Sequence, residues 1–207
     1  MPELVYTIGH STHSINRLIE LLRLHSVNAV CDVRSKPYSR INPQFNREDL
    51  KLALRASQIA YVFLGKELGA RSDDPSCYEN GKVQYDRIAR TSAFQAGIMR
   101  IQEGANNYRI ALMCAEKEPL DCHRTILVAR HLVTAGLEIG HIHANGNLEN
   151  HIDALVRLAS LHNLREAEHH MFRSREALFA DAYRLQEDRI AYNPDHADFG
   201  ATERKVG

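Results

Sequence analysis

Short apolar runs alternate with amphipathic segments along the first two-thirds of the chain. Five runs of five to seven residues are mostly apolar, as buried β-strands are. They are LVYTIGH (4–10), NAVCDV (28–33), AYVFL (60–64), RIALMC (109–114) and LEIGHIH (137–143). Between them, apolar residues recur three or four positions apart, which is the spacing of one helix face. Strands separated by helices predict parallel pairing within a single sheet.

Capping residues stand where the amphipathic segments begin and end. Ser14 precedes the first segment, and Asn46 precedes the second. Asp121 is expected to cap the helix that follows the fourth strand, and Gly136 is expected just beyond its end. The predicted helices in this part of the chain cover 15–22, 47–57, 92–104 and 121–135.

The pattern predicts an α/β fold with a mainly parallel sheet of about five strands, helices on both faces and additional C-terminal helices. Residues 1–147 are the predicted α/β core domain, and 148–192 a helical extension packed on that core. The extension could instead mediate self-association, which would make the protein a homodimer. Residues 193–207 are predicted to be a polar tail. The connection 65–83 is long and rich in Gly, Asp and Ser, which is typical of a functional or mobile loop.

Acidic and basic residues balance at 26 each, so the net charge does not indicate a nucleic-acid partner. No apolar run approaches the roughly 20 residues of a membrane span, and the N-terminus lacks the pattern of a secretory signal. We therefore expect no membrane partner and a cytoplasmic location with reduced cysteines. Of the four, Cys31 is expected in the core and Cys77 exposed in a polar loop.

Reactive side chains are concentrated in LMCAEKEPLDCHR, residues 112–124. Cys114 ends the fourth strand, and Cys122, His123 and Arg124 are expected in the first turn of the next helix. A thiol near a helix N-terminus and near cations favours the thiolate, which is the nucleophilic form. Cys114 is therefore the candidate nucleophile. The alternative is an inert thiol at the end of a core strand, because free cysteines are among the most buried residues.

Polar residues at the carboxyl ends of parallel strands meet along one edge of a sheet. The predicted catalytic residues are Cys114, His10, Glu116 and His123, and the predicted substrate-binding residues are Ser11, Asp32, Arg34, Ser39, Arg40 and Arg124. His10 or His123 would serve as acid or base, and Glu116 would orient one of them. Arginines in the loop after the second strand suit phosphate or carboxylate oxygens.

These residues predict an enzyme that acts on an anionic, phosphate- or nucleotide-like small molecule, and they require no cofactor. One alternative is a module that binds nucleic acid or protein through the basic loop 34–40 and the loop 65–83. Another is a metal site that uses Cys114, Cys122 and His123 with a further histidine. The candidates for that further ligand are His10, His141 and His143. Because the cysteine spacing does not match the tight pairs of structural zinc sites, no metal is assigned.

Six segments carry a resemblance that runs over nearly the whole chain. They are YTIGHS (6–11), DVRSKPYSR (32–40), AYVFLGKELG (60–69), LMCAEKEPLDCHR (112–124), GHIHANG (140–146) and EALFADAYRLQEDRIAY (176–192). Together they resemble the bacterial and archaeal family catalogued as domain of unknown function 488. The resemblance implies a compact α/β fold and no settled activity.

A weaker similarity is to rhodanese-like domains, in which a D-x-R motif precedes a cysteine-bearing loop. DVR (32–34) and Cys114 occur here in that order. By analogy, Cys114 would handle a persulfide or a phosphate. The loop AEKEP that follows is acidic, however, and Arg124 lies further from the cysteine than in such domains.

Overall fold

The structure, a computed structural model, describes residues 3–164 and 174–194. The strands of its main sheet are β1 (Leu4–Gly9), β2 (Ala29–Asp32), β3 (Ala60–Phe63), β6 (Ile110–Cys114), β7 (Glu138–Ile142) and β8 (Leu148–Asn150), and a separate hairpin contains β4 (Tyr78–Glu79) and β5 (Lys82–Val83). The α-helices are α1 (Ile15–Leu24), α2 (Arg47–Ala56), α3 (Gly65–Leu68), α4 (Tyr85–Ala89), α5 (Ser92–Ala105), α6 (Arg130–Thr134), α7 (His151–Leu161) and α8 (Arg175–Ile190). A π-helix, Arg124–Ala129, runs directly into α6.

The sheet order is β3-β2-β6-β1-β7-β8, and every pair is parallel except β7 with β8. This confirms the predicted α/β fold with a mainly parallel sheet and C-terminal helices. The sixth strand was not predicted, because Leu148–Asn150 is only three residues long and not clearly apolar. It places the first residues of the predicted extension in the main sheet. The division into a core domain and an extension, and self-association, stay predictions.

An apolar core lies on each face of the sheet, because neighbouring residues of a strand point to opposite sides. In β6, Leu112 and Cys114 belong to one core, whereas Ala111 and Met113 belong to the other. The first core includes buried residues of α5, α7 and α8, and the second includes those of α1 and α2. Both faces are therefore covered, as parallel sheets require.

The predicted cap of α1 forms, whereas that of α2 does not. Ser14 Oγ accepts a hydrogen bond from the Arg17 amide at the start of α1. Asn46 occupies the position before α2 but makes no capping hydrogen bond. Its Oδ1 instead accepts the amide of Ser39 at 2.7 Å, which fastens the loop after β2 to the start of α2. Gly136 follows α6 with φ +91°, as predicted for the residue beyond a helix end.

The connection 65–83 contains more regular structure than its composition predicts. It includes α3, a 3-10 turn over Pro75–Cys77 and the β4–β5 hairpin. Cys77 is buried at 1% exposure, so the expectation that it is exposed was wrong. The turn directs its thiol into the apolar core despite the polar sequence around it.

Residues 195–207 of the predicted polar tail lie outside the described residues. Among the residues that are described, no helix is both long enough and apolar enough to span a membrane.

Candidate functional site

The carboxyl ends of β1, β2 and β6 lie side by side because these strands are neighbours in the sheet. Backbone pairing continues past the strand ends: the His10 amide donates to the carbonyl of Cys114 at 2.9 Å, and the Val33 amide donates to Met113 at 3.1 Å. The residues after all three strands are therefore held at one edge of the sheet, as the sequence predicted from parallel pairing.

A cleft of about 840 Å³ opens at this edge. Seven of the ten predicted site residues line it: His10, Ser11, Arg34, Ser39, Cys114, Glu116 and His123. The other three, Asp32, Arg40 and Arg124, are not among the residues that line the cleft. The end of α8 contributes Ile190 to the wall, and Tyr192 follows it.

The helix after β6 begins later than predicted. Asp121 ends a 3-10 turn that starts at Pro119, and its carboxylate accepts a hydrogen bond from Gln186 of α8 instead of capping a helix. Cys122 is extended, with φ −137° and ψ 139°, and the helical backbone starts at His123. The extended residue redirects the chain, so Cys122 and His123 lie at the entrance of the π-helix. Such π segments are frequent at functional sites.

Two thiols and one imidazole form a compact cluster in the cleft. The Nδ1 atom of His123 lies 3.7 Å from the sulfur of Cys114 and 3.9 Å from that of Cys122. The Nε2 atom lies 2.9 Å from the carbonyl oxygen of Val33, so Nε2 carries a proton and donates it there. In the neutral ring, Nδ1 therefore presents its lone pair to both sulfurs. We call Cys114, Cys122 and His123 the thiol cluster.

The two thiols of the cluster titrate as a coupled pair. Burial raises the pKa of Cys122, but a hydrogen bond from Cys114 and the positive charge of Arg124 outweigh it and leave that pKa well below the usual value. The same hydrogen bond, together with burial, raises the pKa of Cys114 well above the usual value. The first proton therefore leaves Cys122, whose backbone carbonyl also accepts the first hydrogen bonds of the helix.

A second polar group, which we call the ion-pair network, occupies the other side of the cleft floor. Arg34 donates from Nε and Nη2 to the two carboxylate oxygens of Asp32, at 2.9 and 2.7 Å. Its Nη2 also donates to the carbonyl oxygen of Phe45, and the hydroxyl of Tyr61 donates to Asp32 at 2.8 Å. Asp32 is completely buried, so it holds Arg34 from behind and does not face the cleft.

His10 completes the ion-pair network. Its Nε2 atom lies 3.1 Å from Nη1 of Arg34, and its Nδ1 atom lies 2.9 Å from the carbonyl oxygen of Ser11. Arginine only donates, so Nε2 must accept and Nδ1 must carry the proton. The ring also stacks on Phe45 with centroids 4.3 Å apart. Burial, with the charge of Arg34, lowers the pKa of His10 to about 4, so the ring is neutral at pH 7.

Arg124 is fully buried and holds the loop after β6 from the inside. Its Nη1 donates to the carbonyl oxygen of Glu116 at 2.8 Å, and Nη2 donates to that of Lys117 at 3.4 Å. Within residues 3–164 and 174–194, no atom accepts a hydrogen bond from its Nε. The loop after β6 can pack this closely against β1 only because residue 9 is a glycine: a Cβ at Gly9 would lie 1.8 Å from the carbonyl oxygen of Glu116.

Two of the substrate-binding residues predicted in the loop after β2, Ser39 and Arg40, occupy different environments. Ser39 lines the cleft, but its Oγ already accepts the amides of Ile41 and Asn42. Arg40 is exposed and lies outside the cleft lining.

The predicted site residues did not include three basic residues of the cleft, Lys36, Arg71 and Lys117. Lys117 had a usable signal, because it lies in the short loop directly after β6. Arg71 had none, since the path of the connection 65–83 brings it to the cleft, where its guanidinium covers the ring of Tyr192 at 4.3 Å.

A family model described as Domain of unknown function DUF488 matches residues 14–131. The chain belongs to this family. The matched part of this DUF488 chain includes Arg34 and all three residues of the thiol cluster, and it begins after His10. A search of curated proteins and a search of solved structures found no match. The similarity to rhodanese-like domains stays a prediction.

Proposed function

We propose that the protein is an enzyme that binds an anionic small molecule in the cleft and presents it to the thiol cluster. The proposal rests on one observation: the thiols of Cys114 and Cys122 and several basic side chains line the same cleft. Clefts that combine a few polar groups with reactive, titratable residues are the usual places for catalysis.

The basic side chains support an anionic ligand. Lys36, Arg71 and Lys117 are exposed and line the cleft, whereas the acidic side chains there are Glu116 and Asp121. Arg34 adds a donor: four of its five side-chain N–H groups are used, and no described residue accepts the fifth, which is on Nη1. The carboxylate of Asp32 already neutralises the charge of Arg34. We therefore expect Arg34 to orient an oxygen atom of the ligand by hydrogen bonding and to add little long-range attraction.

The apolar lining supports a ligand that is larger than a simple ion. Tyr38 and Ile41 are 79% and 86% exposed at the mouth of the cleft, and Ile190 and Tyr192 line it on the side of α8. An exposed aromatic ring is a stacking surface for a planar group. Together with the basic rim, this arrangement suits a nucleotide-like molecule.

We assign roles to the two histidines of the cleft from the hydrogen bonds that their ring nitrogens make. Both ring nitrogens of His10 have partners, so we assign it to the positioning of Arg34. His123 faces the sulfurs with a lone pair and is the residue that can take a proton from a thiol. Cys114 and Cys122 are both candidates for the nucleophile that was predicted at Cys114. Glu116 is exposed on the loop above them.

The charge of a small alkylating reagent provides a direct test. A thiolate attacks the CH2 carbon of either iodoacetate or iodoacetamide and displaces iodide, but only iodoacetate is an anion. On reduced, metal-free protein, we expect the cluster to favour iodoacetate several-fold more than the same cysteines do in the unfolded chain. Added salt should weaken the preference, because screening reduces attraction by exposed charges. Inorganic phosphate should slow both reagents.

Two charge variants give a matched comparison for this experiment. K36Q removes a positive charge from the cleft, and K51Q removes one from the exposed side of α2. We expect K36Q to reduce the preference for iodoacetate and K51Q to leave it unchanged. A preference equal to that of the unfolded chain, or equal effects of both variants, would contradict an anion-binding cleft.

Screening of phosphate and carboxylate esters would then test for turnover. We expect the double variant C114S/C122S to abolish activity on any ester that is processed, while C31S retains it, and the two single variants to show which thiol is the nucleophile. Full activity of C114S would exclude Cys114 from the reaction.

A further inference from the structure

We infer that the thiol cluster is a binding site for a single zinc ion, held by the sulfurs of Cys114 and Cys122 and by Nδ1 of His123. This inference concerns the same site as the proposed function but does not require it, since metal binding is measured without a substrate. The three atoms lie within 4.8 Å of one another.

The two sulfur–nitrogen distances in the cluster are close to those of a tetrahedral zinc site. With Zn–S of about 2.3 Å and Zn–N of about 2.0–2.1 Å, a sulfur and a nitrogen on one tetrahedron are about 3.6 Å apart. The distances from Nδ1 of His123 to the two sulfurs are 3.7 and 3.9 Å. Small side-chain rotations would therefore suffice to bring all three atoms to a common ion.

The hydrogen bond of His123 prepares its ring for a metal. A histidine ligand usually donates its other N–H to a carbonyl or a carboxylate, which fixes the tautomer and the ring orientation. Here Nε2 donates to the carbonyl oxygen of Val33 at 2.9 Å, and Nδ1 is left with a free lone pair directed at the sulfurs. Val33 directly follows β2, so the orienting group belongs to the rigid sheet.

The cluster also has suitable charge and softness. Two thiolates balance the 2+ charge of zinc, which lowers the cost of placing an ion in a site where Cys114 and Cys122 are only 5% and 2% exposed. Sulfur and imidazole ligands select zinc over magnesium or calcium, which prefer oxygen.

Three protein ligands leave one position of the tetrahedron open. Over residues 3–164 and 174–194, no fourth Cys, His, Asp or Glu joins this group. Structural zinc sites normally have four protein ligands, whereas catalytic sites have three and a water molecule or substrate atom. Because all three ligands line the cleft, the open position would be reached from it. Zinc bound there would make the thiols ligands instead of nucleophiles and would polarise a bound oxygen atom.

The test begins with reduced protein purified without chelator. We expect close to one zinc per chain by elemental analysis, and a dissociation constant of about nanomolar or below in competition with a chelating dye. Cobalt substituted for zinc should show thiolate-to-metal charge transfer and the strong visible absorption of four-coordinate Co²⁺. C114S, C122S and H123Q should each weaken binding more than about 100-fold, since even outer ligands contribute 10- to 100-fold.

Cys31 and Cys77 provide the matched controls, because both are buried thiols outside the cluster. C31S and C77S should retain full metal content and the cobalt spectrum. Folded, reduced protein that takes up no zinc or cobalt would overturn the inference, and so would a cobalt spectrum without thiolate charge transfer. Either result would leave the preference for iodoacetate untouched, whereas a protein that binds zinc but shows no such preference in its metal-free form would overturn only the proposed function.

Discussion

The two sides of the cleft floor differ in how far their polar atoms are satisfied. In the ion-pair network, the carboxylate oxygens of Asp32 and both ring nitrogens of His10 have partners inside the protein. In the thiol cluster, Nδ1 of His123 lies 3.7 and 3.9 Å from the two sulfurs, whereas its Nε2 makes a closer contact, 2.9 Å from the carbonyl oxygen of Val33. Among the described residues, the network leaves only one N–H of Arg34 without an acceptor, whereas the cluster has capacity for a proton, an electrophile or a metal.

The types of polar residue in a site therefore do not by themselves show which of its groups are available for reaction. Asp32, Arg34 and His10 have the residue types of catalytic groups, but their geometry mainly secures a rigid wall. We therefore expect substitutions in the network to affect stability and substitutions in the cluster to affect chemistry.

The largest expected effect is that of D32A. It would leave the guanidinium of Arg34 buried without its counter-charge, and breaking a buried pair in this way costs about 3–5 kcal/mol. The free energy of unfolding from urea denaturation should fall by that amount. C114A in the metal-free protein should cost only about 1 kcal/mol, the usual size for a single substitution. Equal losses in the two variants would remove the contrast between network and cluster.

Acid should weaken the network through His10. Its pKa is about 4 in the folded protein and about 6.5 when unfolded, so the unfolded chain binds the extra proton first as pH falls. The stability that depends on neutral His10 is complete above pH 6.5 and is lost as the pH falls to about 4. The loss amounts to about 3 kcal/mol.

The H10Q variant isolates this contribution. Gln can still accept from Arg34 but does not titrate, so its stability should fall less steeply between pH 7 and pH 4. The other buried imidazoles, His141 and His151, are present in both proteins and contribute equally to each curve. Parallel curves for the wild type and H10Q would show that His10 does not carry the acid sensitivity.

Within the ion-pair network, the smallest expected effect is that of Y61F. It removes one of the hydrogen bonds to Asp32, while Arg34 keeps both carboxylate oxygens engaged. A hydrogen bond to a charged group contributes about 1.5–3 kcal/mol, and we expect the lower end of that range because the carboxylate remains paired. Urea denaturation at pH 7 measures it. A loss as large as that of D32A would mean that the phenol, and not Arg34, holds the carboxylate.

The sequence predicted the position of the site because parallel pairing depends on patterns that local sequence carries. Apolar runs identified the strands, and the ends of β1, β2 and β6 brought His10, Arg34 and Cys114 to one edge. What it could not predict depended on single side chains and backbone angles. The extended conformation of Cys122 delays the next helix, and the buried course of Arg124 takes it out of the cleft. Neither property is visible in residue type or spacing.

The most direct measurement is residue-resolved alkylation of the four cysteines in reduced, metal-free protein, followed by mass spectrometry. All four thiols are buried, but Cys31 and Cys77 are not among the residues that line the cleft, and burial raises the pKa of Cys31 to about 12. We predict that Cys114 or Cys122 is labelled first, and that Cys31 and Cys77 react only when the protein unfolds. Labelling of Cys31 or Cys77 as fast as the cluster would contradict the claim that the reactive centre lies in this cleft.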